Sequence, residues 1–136
     1  MMGKIKIFID GACRGNPGDA AAGIIVCDAK GKVIHQVGYY LGRATNNVAE
    51  YMGLIKALEK ARELGFKDIE VFSDSQLITR QIRGEYTVRN QQLKELFKKA
   101  RELMEGFSSF SLDYIPREEN VLADRIANST LDKASE

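Results

Sequence analysis

Residues 4–28, KIKIFIDGACRGNPGDAAAGIIVCD, decide the fold. Ile5, Ile7 and Ile9 alternate with Lys4, Lys6 and Phe8, the period of two that a pleated strand requires, which predicts a strand over 4–12. The run RGNPGD (14–19) breaks it, because Asn-Pro-Gly beside Gly15 is strong turn chemistry. Residues 20–28 are therefore expected to return as an antiparallel partner. A further turn at Ala29-Lys30-Gly31 leads to a third strand over 32–42, with Val33, Val37 and Tyr39 on one face.

Beyond this three-stranded meander the period changes. Leu54, Ala57, Leu58, Ala61 and Leu64 share one helical stripe, with Lys56, Glu59, Lys60 and Glu63 opposite, so a helix is expected over 46–64, capped by Gly65. KDIEVFS (67–73) reads as a fourth strand, 75–83 as a short helix and 90–104 as an amphipathic helix on Leu93, Leu96, Phe97, Ala100, Leu103 and Met104. A fifth strand over 109–115 and a helix over 120–132 complete the order βββαβααβα. A strand–helix–strand unit is normally parallel and right-handed, so the sheet must be mixed, with helices on both faces.

The 136 residues, 44% hydrophobic and 29% charged, suit one domain spanning 1–136. No apolar run approaches the roughly 18 residues of a membrane span, and the N-terminus enters an alternating pattern rather than a signal-peptide segment. A monomer in the cytoplasm is expected. Cys13 and Cys27 are too few for a disulfide framework and lack CxxC spacing, so both are read as free thiols. The net charge of +1 does not announce a nucleic-acid binder, but seven basic residues from Arg80 to Arg101 stand against only Glu85 and Glu95.

Four carboxylates carry the chemistry. Asp10 lies near the end of the first strand and Asp74 just past the end of the fourth, and a parallel pairing would make those carboxyl ends neighbours, where open α/β sheets place their ligands. Local roles compete: a strand-end turn for Asp10, an N-cap within Ser73-Asp74-Ser75 for Asp74. Glu50 projects from the apolar stripe of its own helix, where an acid needs a cation, a network or a function, the alternative being a first-turn acid facing the helix dipole. Asp124 sits at the margin of the last helix's apolar face, where an isolated acid is usually solvated. Converging carboxylates raise each other's pKa unless a cation lies between them. A set of oxygen ligands without histidine or thiolate selects Mg²⁺ or Mn²⁺, and two such ions can activate a water and stabilise the leaving oxygen of a phosphodiester.

The blocks DGACRGNPG (10–18), TNNVAEYMGLIKAL (45–58), FSDSQL (72–77) and NVLAD (120–124) together resemble the cellular type 1 ribonucleases H, in that family's order and over essentially the whole chain. The resemblance implies a ribonuclease H-like α/β fold with a five-stranded mixed sheet in the order 3-2-1-4-5. It implies a metal-dependent endonuclease that cuts the RNA strand of an RNA/DNA hybrid, with two Mg²⁺ ions held by Asp10, Glu50, Asp74 and Asp124. It further implies hybrid contacts by Cys13, Asn16, Thr45, Asn46, Asn47 and Gln76. Amides and main chain suit the sugar 2′-hydroxyls and minor-groove edges that distinguish RNA from DNA, although Asn16 and Asn46 also fit as turn and N-cap residues.

Two departures from the family stand out. Many members carry a histidine in the loop before the last aspartate, whereas this loop is PREENVL (116–122). Arg117, Glu118 or Glu119 is left to take its place, since His35 falls in the third strand and reads as structural. RGEYTVRN (83–90) is also too short for the extra basic helix some members use as a substrate handle, which leaves the 80–101 stretch for that role. Two other functions fit less well. A hybrid-binding module without catalysis gains nothing from four clustered acids beside a polyanion. A nucleotide-dependent phosphotransferase would need a phosphate-binding GK[ST] loop, which is absent.

Overall fold

The computed structural model describes residues 3–135. Five strands form one sheet in the order β3-β2-β1-β4-β5, as expected. The strands are β1 (Ile5–Gly15), β2 (Gly18–Cys27), β3 (Val33–Ala44), β4 (Asp68–Ser73) and β5 (Ser109–Tyr114). The helices are α1 (Asn46–Glu63), α2 (Gln76–Ile82), α3 (Gln91–Met104) and α4 (Val121–Ala134), with a 3₁₀ turn over Arg117–Glu119. β1 runs antiparallel to β2 and parallel to β4, and β5 is parallel to β4.

The alternation in β1 separates two cores. Ile5, Ile7 and Ile9 enter the main core with Leu54, Ile55, Leu58, Ile69, Val71 and Ile78, beneath α1. Phe8 faces the other way, toward Ile25, Cys27, Ala123 and Ile126 under α4. α1 ends with Gly65 N–H donating to Arg62 C=O and Phe66 N–H to Ala61 C=O, a Schellman closure.

Two expectations are corrected. The first hairpin is longer than the turn chemistry suggested: pairing continues to Gly15 opposite Gly18, leaving Asn16 and Pro17 as a two-residue turn. Val33 does not share a face with Val37 and Tyr39. A register shift pairs Cys27 with Val33 and Val26 with His35, so Ile34 is the extra residue of a bulge and the side-chain alternation reverses across it. Val33 is exposed and lines a cavity with Phe8, Ile25 and Cys27 on the α4 side.

Cys13 pairs with Ala20 and Cys27 with Lys6, far apart along the sheet, and both thiols are free. No helix among the described residues is long and apolar enough to cross a membrane.

Candidate active site

The last parallel pair of β1 and β4 is Ile9 with Ser73, so Asp10 and Asp74 are the next residues along the two adjacent segments. Asp10 does not cap a strand end, because β1 runs on past it, opposite Gly23 of β2. Asp74 does not cap α2 either: Ser75 does, its side chain accepting from Ile78 N–H. Both local alternatives are thereby removed and both carboxyls are released to the site. Glu50, one turn into α1, completes a group in which one oxygen from each of Asp10, Glu50 and Asp74 lies within 4.8 Å of the others.

Close backbone approach makes this convergence possible. A Cβ on Gly11 would lie 2.6 Å from Ala49 C and from Glu50 Oε1, so only glycine lets the start of α1 press against β1 there. The Gly11 N–H donates to Glu50 Oε1 and fixes that carboxyl. On the opposite face a Cβ on Gly23 would meet Ala123 O at 2.2 Å and Ala127 N at 2.8 Å. α4 therefore rests directly on the residue paired with Asp10, and its first turn delivers Asp124 to Asp10. Asp124 stands beside the group of three, and Asn128 Nδ2 donates to its Oδ1 at 3.2 Å.

The electrostatics record the crowding. Burial, with further contributions from Glu50, Asp74 and Asp124, pushes the Asp10 carboxyl up to about 9. Burial and the charge of Asp74 push Glu50 up to about 8, against the opposing pull of the Gly11 N–H and the Arg117 guanidinium. Raised this far, chiefly by burial, both carboxyls retain protons at neutral pH despite Arg117. An all-oxygen donor set that must discard protons to become fully anionic is what a hard divalent cation fits. Of the three loop residues considered as substitutes for a histidine, Arg117 is the one whose charge reaches Glu50. Glu118 and Glu119 line the apolar cavity under α4, and His35 lies in β3, two strands from β1.

The structure gathers five of the six expected contact residues around the β1–β2 turn and the start of α1. Asn16 Oδ1 accepts from Asn46 N–H at 3.1 Å, and Thr45 Oγ1 caps α1 by accepting from Val48 N–H at 3.2 Å. These bonds use the oxygens and leave the Asn16 amide and the Thr45 hydroxyl as donors. Cys13 Sγ lies 3.0 Å from Ala44 O, tying the hairpin to the end of β3. Gln76 is separate from this set, two residues after Asp74, in a hollow with Arg80, Arg83 and Tyr114. Asn90 and Gln92, not singled out from the sequence, line one groove with Asn16, Thr45 and Asn47. The signal for them was the amide run NQQ (90–92), which reads locally as a helix start.

A family profile described as Reverse transcriptase-like matches residues 8–130. The chain is 44% identical over 132 residues to ribonuclease HI of Halobacterium salinarum, covering 97% of this chain and 66% of that protein. It is 40% identical to a bifunctional protein of Mycobacterium tuberculosis, covering 98% of this chain and 37% of that protein. Thus it spans about two thirds or less of the length of these two relatives. The crystal structure of the Halobacterium salinarum RNase H1 superposes with a TM-score of 0.94, covering 96% of this chain and 99% of that one. That of LC11-RNase H1 in complex with an RNA/DNA hybrid, 43% identical, gives 0.93 over 97% of this chain and 99% of that one. With the sheet order, the carboxylate cluster and identity over nearly its whole length in agreement, this chain belongs to the type 1 ribonuclease H family.

Proposed function

We propose that the chain is an endonuclease that hydrolyses the RNA strand of RNA/DNA hybrids, with Asp10, Glu50, Asp74 and Asp124 holding two Mg²⁺ ions for which Mn²⁺ can substitute. The observation that carries this reading is the approach of the Asp10, Glu50 and Asp74 oxygens to within 4.8 Å of one another. When bound, the ions would activate a water and stabilise the leaving oxygen of a phosphodiester.

The chain's own contribution is orientation. The Gly11 N–H holds Glu50, the start of α4 holds Asp124 against Asp10, and the protons on Asp10 and Glu50 are the ones a cation displaces. The donors of Asn16, Thr45, Asn46, Asn47 and Cys13, extended by Asn90 and Gln92, lie to one side of the carboxylates. They suit 2′-hydroxyls and phosphate oxygens, and Gln76 would contact the substrate beside Asp74. The hybrid complex of LC11-RNase H1 supports the same substrate for this chain. We place the enzyme in the cytoplasm as a monomer.

Titrating Mg²⁺ against a hybrid labelled on each strand in turn tests the proposal. Cleavage of the RNA strand, with the DNA strand intact, is expected. Equal cutting of both strands, or none in Mg²⁺ or Mn²⁺, rejects it.

A further inference from the structure

Asn120 occupies the N-cap position of α4, where asparagine ordinarily uses its side-chain oxygen to accept from the first helical N–H groups. Here it makes no such bond. The residue is 1% exposed, and its Nδ2 instead donates to Ile9 O at 2.7 Å and to Asp74 Oδ2 at 3.1 Å. Both partners are pure acceptors, so the amide orientation is determined: the flipped rotamer would set oxygen against oxygen. Oδ1 is left buried without a partner among the described residues. A buried unpaired acceptor is costly, and a cap-forming residue that forgoes its cap in this way calls for a compensating role.

The main chain of Asn120 ties the same point to Asp124. Its N–H donates to Arg117 O at 2.9 Å, closing the 3₁₀ turn, and its carbonyl accepts from Asp124 N–H at 3.2 Å, opening α4. One residue therefore touches the peptide preceding Asp10, the carboxylate of Asp74 and the backbone of Asp124. Glu50 is held separately, by Gly11.

We propose that Asn120 is a positioning residue that locks the Asp74 carboxylate and, through the backbone, registers Asp124 against Asp10, so that the cation site exists before any ion enters. This rests on the reading of the cluster as a cation site. Hydrogen bonds that orient ligating carboxylates typically contribute 10–100-fold to metal affinity, and that is the expected size here.

The test is Mn²⁺ binding to the protein without nucleic acid, followed by the electron paramagnetic resonance signal of free Mn²⁺, for the parent, Asn120→Ser and Asn120→Ala. Serine can still cap α4 but is too short to reach Asp74, so Asn120→Ser should stay folded while its Mn²⁺ affinity falls by roughly 10–100-fold. Its hybrid cleavage should show lower kcat that recovers partly at raised Mn²⁺, with KM for the hybrid little changed. Asn120→Ala should lose at least as much affinity and also melt lower. A folded Asn120→Ser with Mn²⁺ affinity within about twofold of the parent overturns the proposal. Loss of folding in Asn120→Ser overturns it too, by assigning the residue to the scaffold. Failure of the parent itself to bind Mn²⁺ would instead remove the cation-site reading on which it rests.

Discussion

Replacing Asp10 with asparagine should abolish cleavage and at the same time stabilise the metal-free protein at neutral pH. The unfolded Asp10 carboxyl ionises near 3.8, whereas the folded one is raised to about 9, chiefly by burial and then by its acidic neighbours. Between those values the folded chain carries a proton the unfolded chain lacks, so stability is fully present below about pH 4 and is lost as pH rises toward 9. At pH 7 the ceiling on this loss is about 4 kcal/mol, at 1.36 kcal/mol per pH unit from 3.8 to 7. Asparagine has the same shape, needs no proton, and can donate to the acids around it. A gain of about 2–4 kcal/mol is expected, or roughly 6–20 °C in Tm for a chain of this length. Calorimetric melting in EDTA at about pH 4, 7 and 8.5 reads it: the advantage of Asp10→Asn should be near zero at the lowest pH and grow with each step. Saturating Mg²⁺ should narrow the gap by stabilising the parent alone. A variant less stable than the parent at pH 7, or an advantage independent of pH, would show that Asp10 is a structural group.

Cation binding should release protons, because Asp10 and Glu50 must give them up. Mn²⁺ added to weakly buffered protein near neutral pH should acidify it by up to about two protons per chain, and affinity should climb between about pH 6 and 9; no acidification with demonstrable binding would refute this. Gly23→Ala should lower stability by about 1–3 kcal/mol or more and reduce kcat, since the added methyl meets Ala123 O and must lift α4, and Asp124 with it. An unchanged melting temperature would show that α4 does not depend on that contact. Lys94 and Lys98 are exposed on α3 and form no ion pair among the described residues, so neutralising both should lower the salt slope of hybrid binding by about two units and raise KM rather than reduce kcat. An unchanged slope would assign that helix face to solvent.

What was legible in the sequence had a short-range signature. The alternation of Ile5, Ile7 and Ile9, the stripe of α1 and the strand–helix–strand unit suffice for a mixed sheet, its order being what the family resemblance implies, and the placement of Glu50 on an apolar stripe marks it as functional. Features that depend on distant partners were not legible. Asn120 is only the first residue of an expected helix until Ile9 and Asp74 are beside it. The bulge at Ile34 has no mark in composition, yet it reverses the face of Val33. Glycine, asparagine and proline at 15–18 signal a turn without saying where strand pairing stops. The basic stretch is likewise less uniform than its charge suggests. Lys99 lies 3.9 Å from Glu59, Arg83 pairs with Glu85 and Asp113, and Arg101 donates to Ile82 O. Only part of the stretch is therefore available to a polyanion.

The central claim is that Asp10, Glu50 and Asp74, with Asp124 beside them, form a cation site whose protons are placeholders for metal. Crystals of the protein soaked in Mn²⁺ above neutral pH, with anomalous differences collected at the manganese edge, address it directly. Strong peaks in contact with oxygens of Asp10, Glu50 and Asp74, absent from crystals of Asp10→Asn treated identically, are the predicted result. Ordered Mn²⁺ elsewhere on the molecule, with these carboxyls still bonded to one another, would contradict the account.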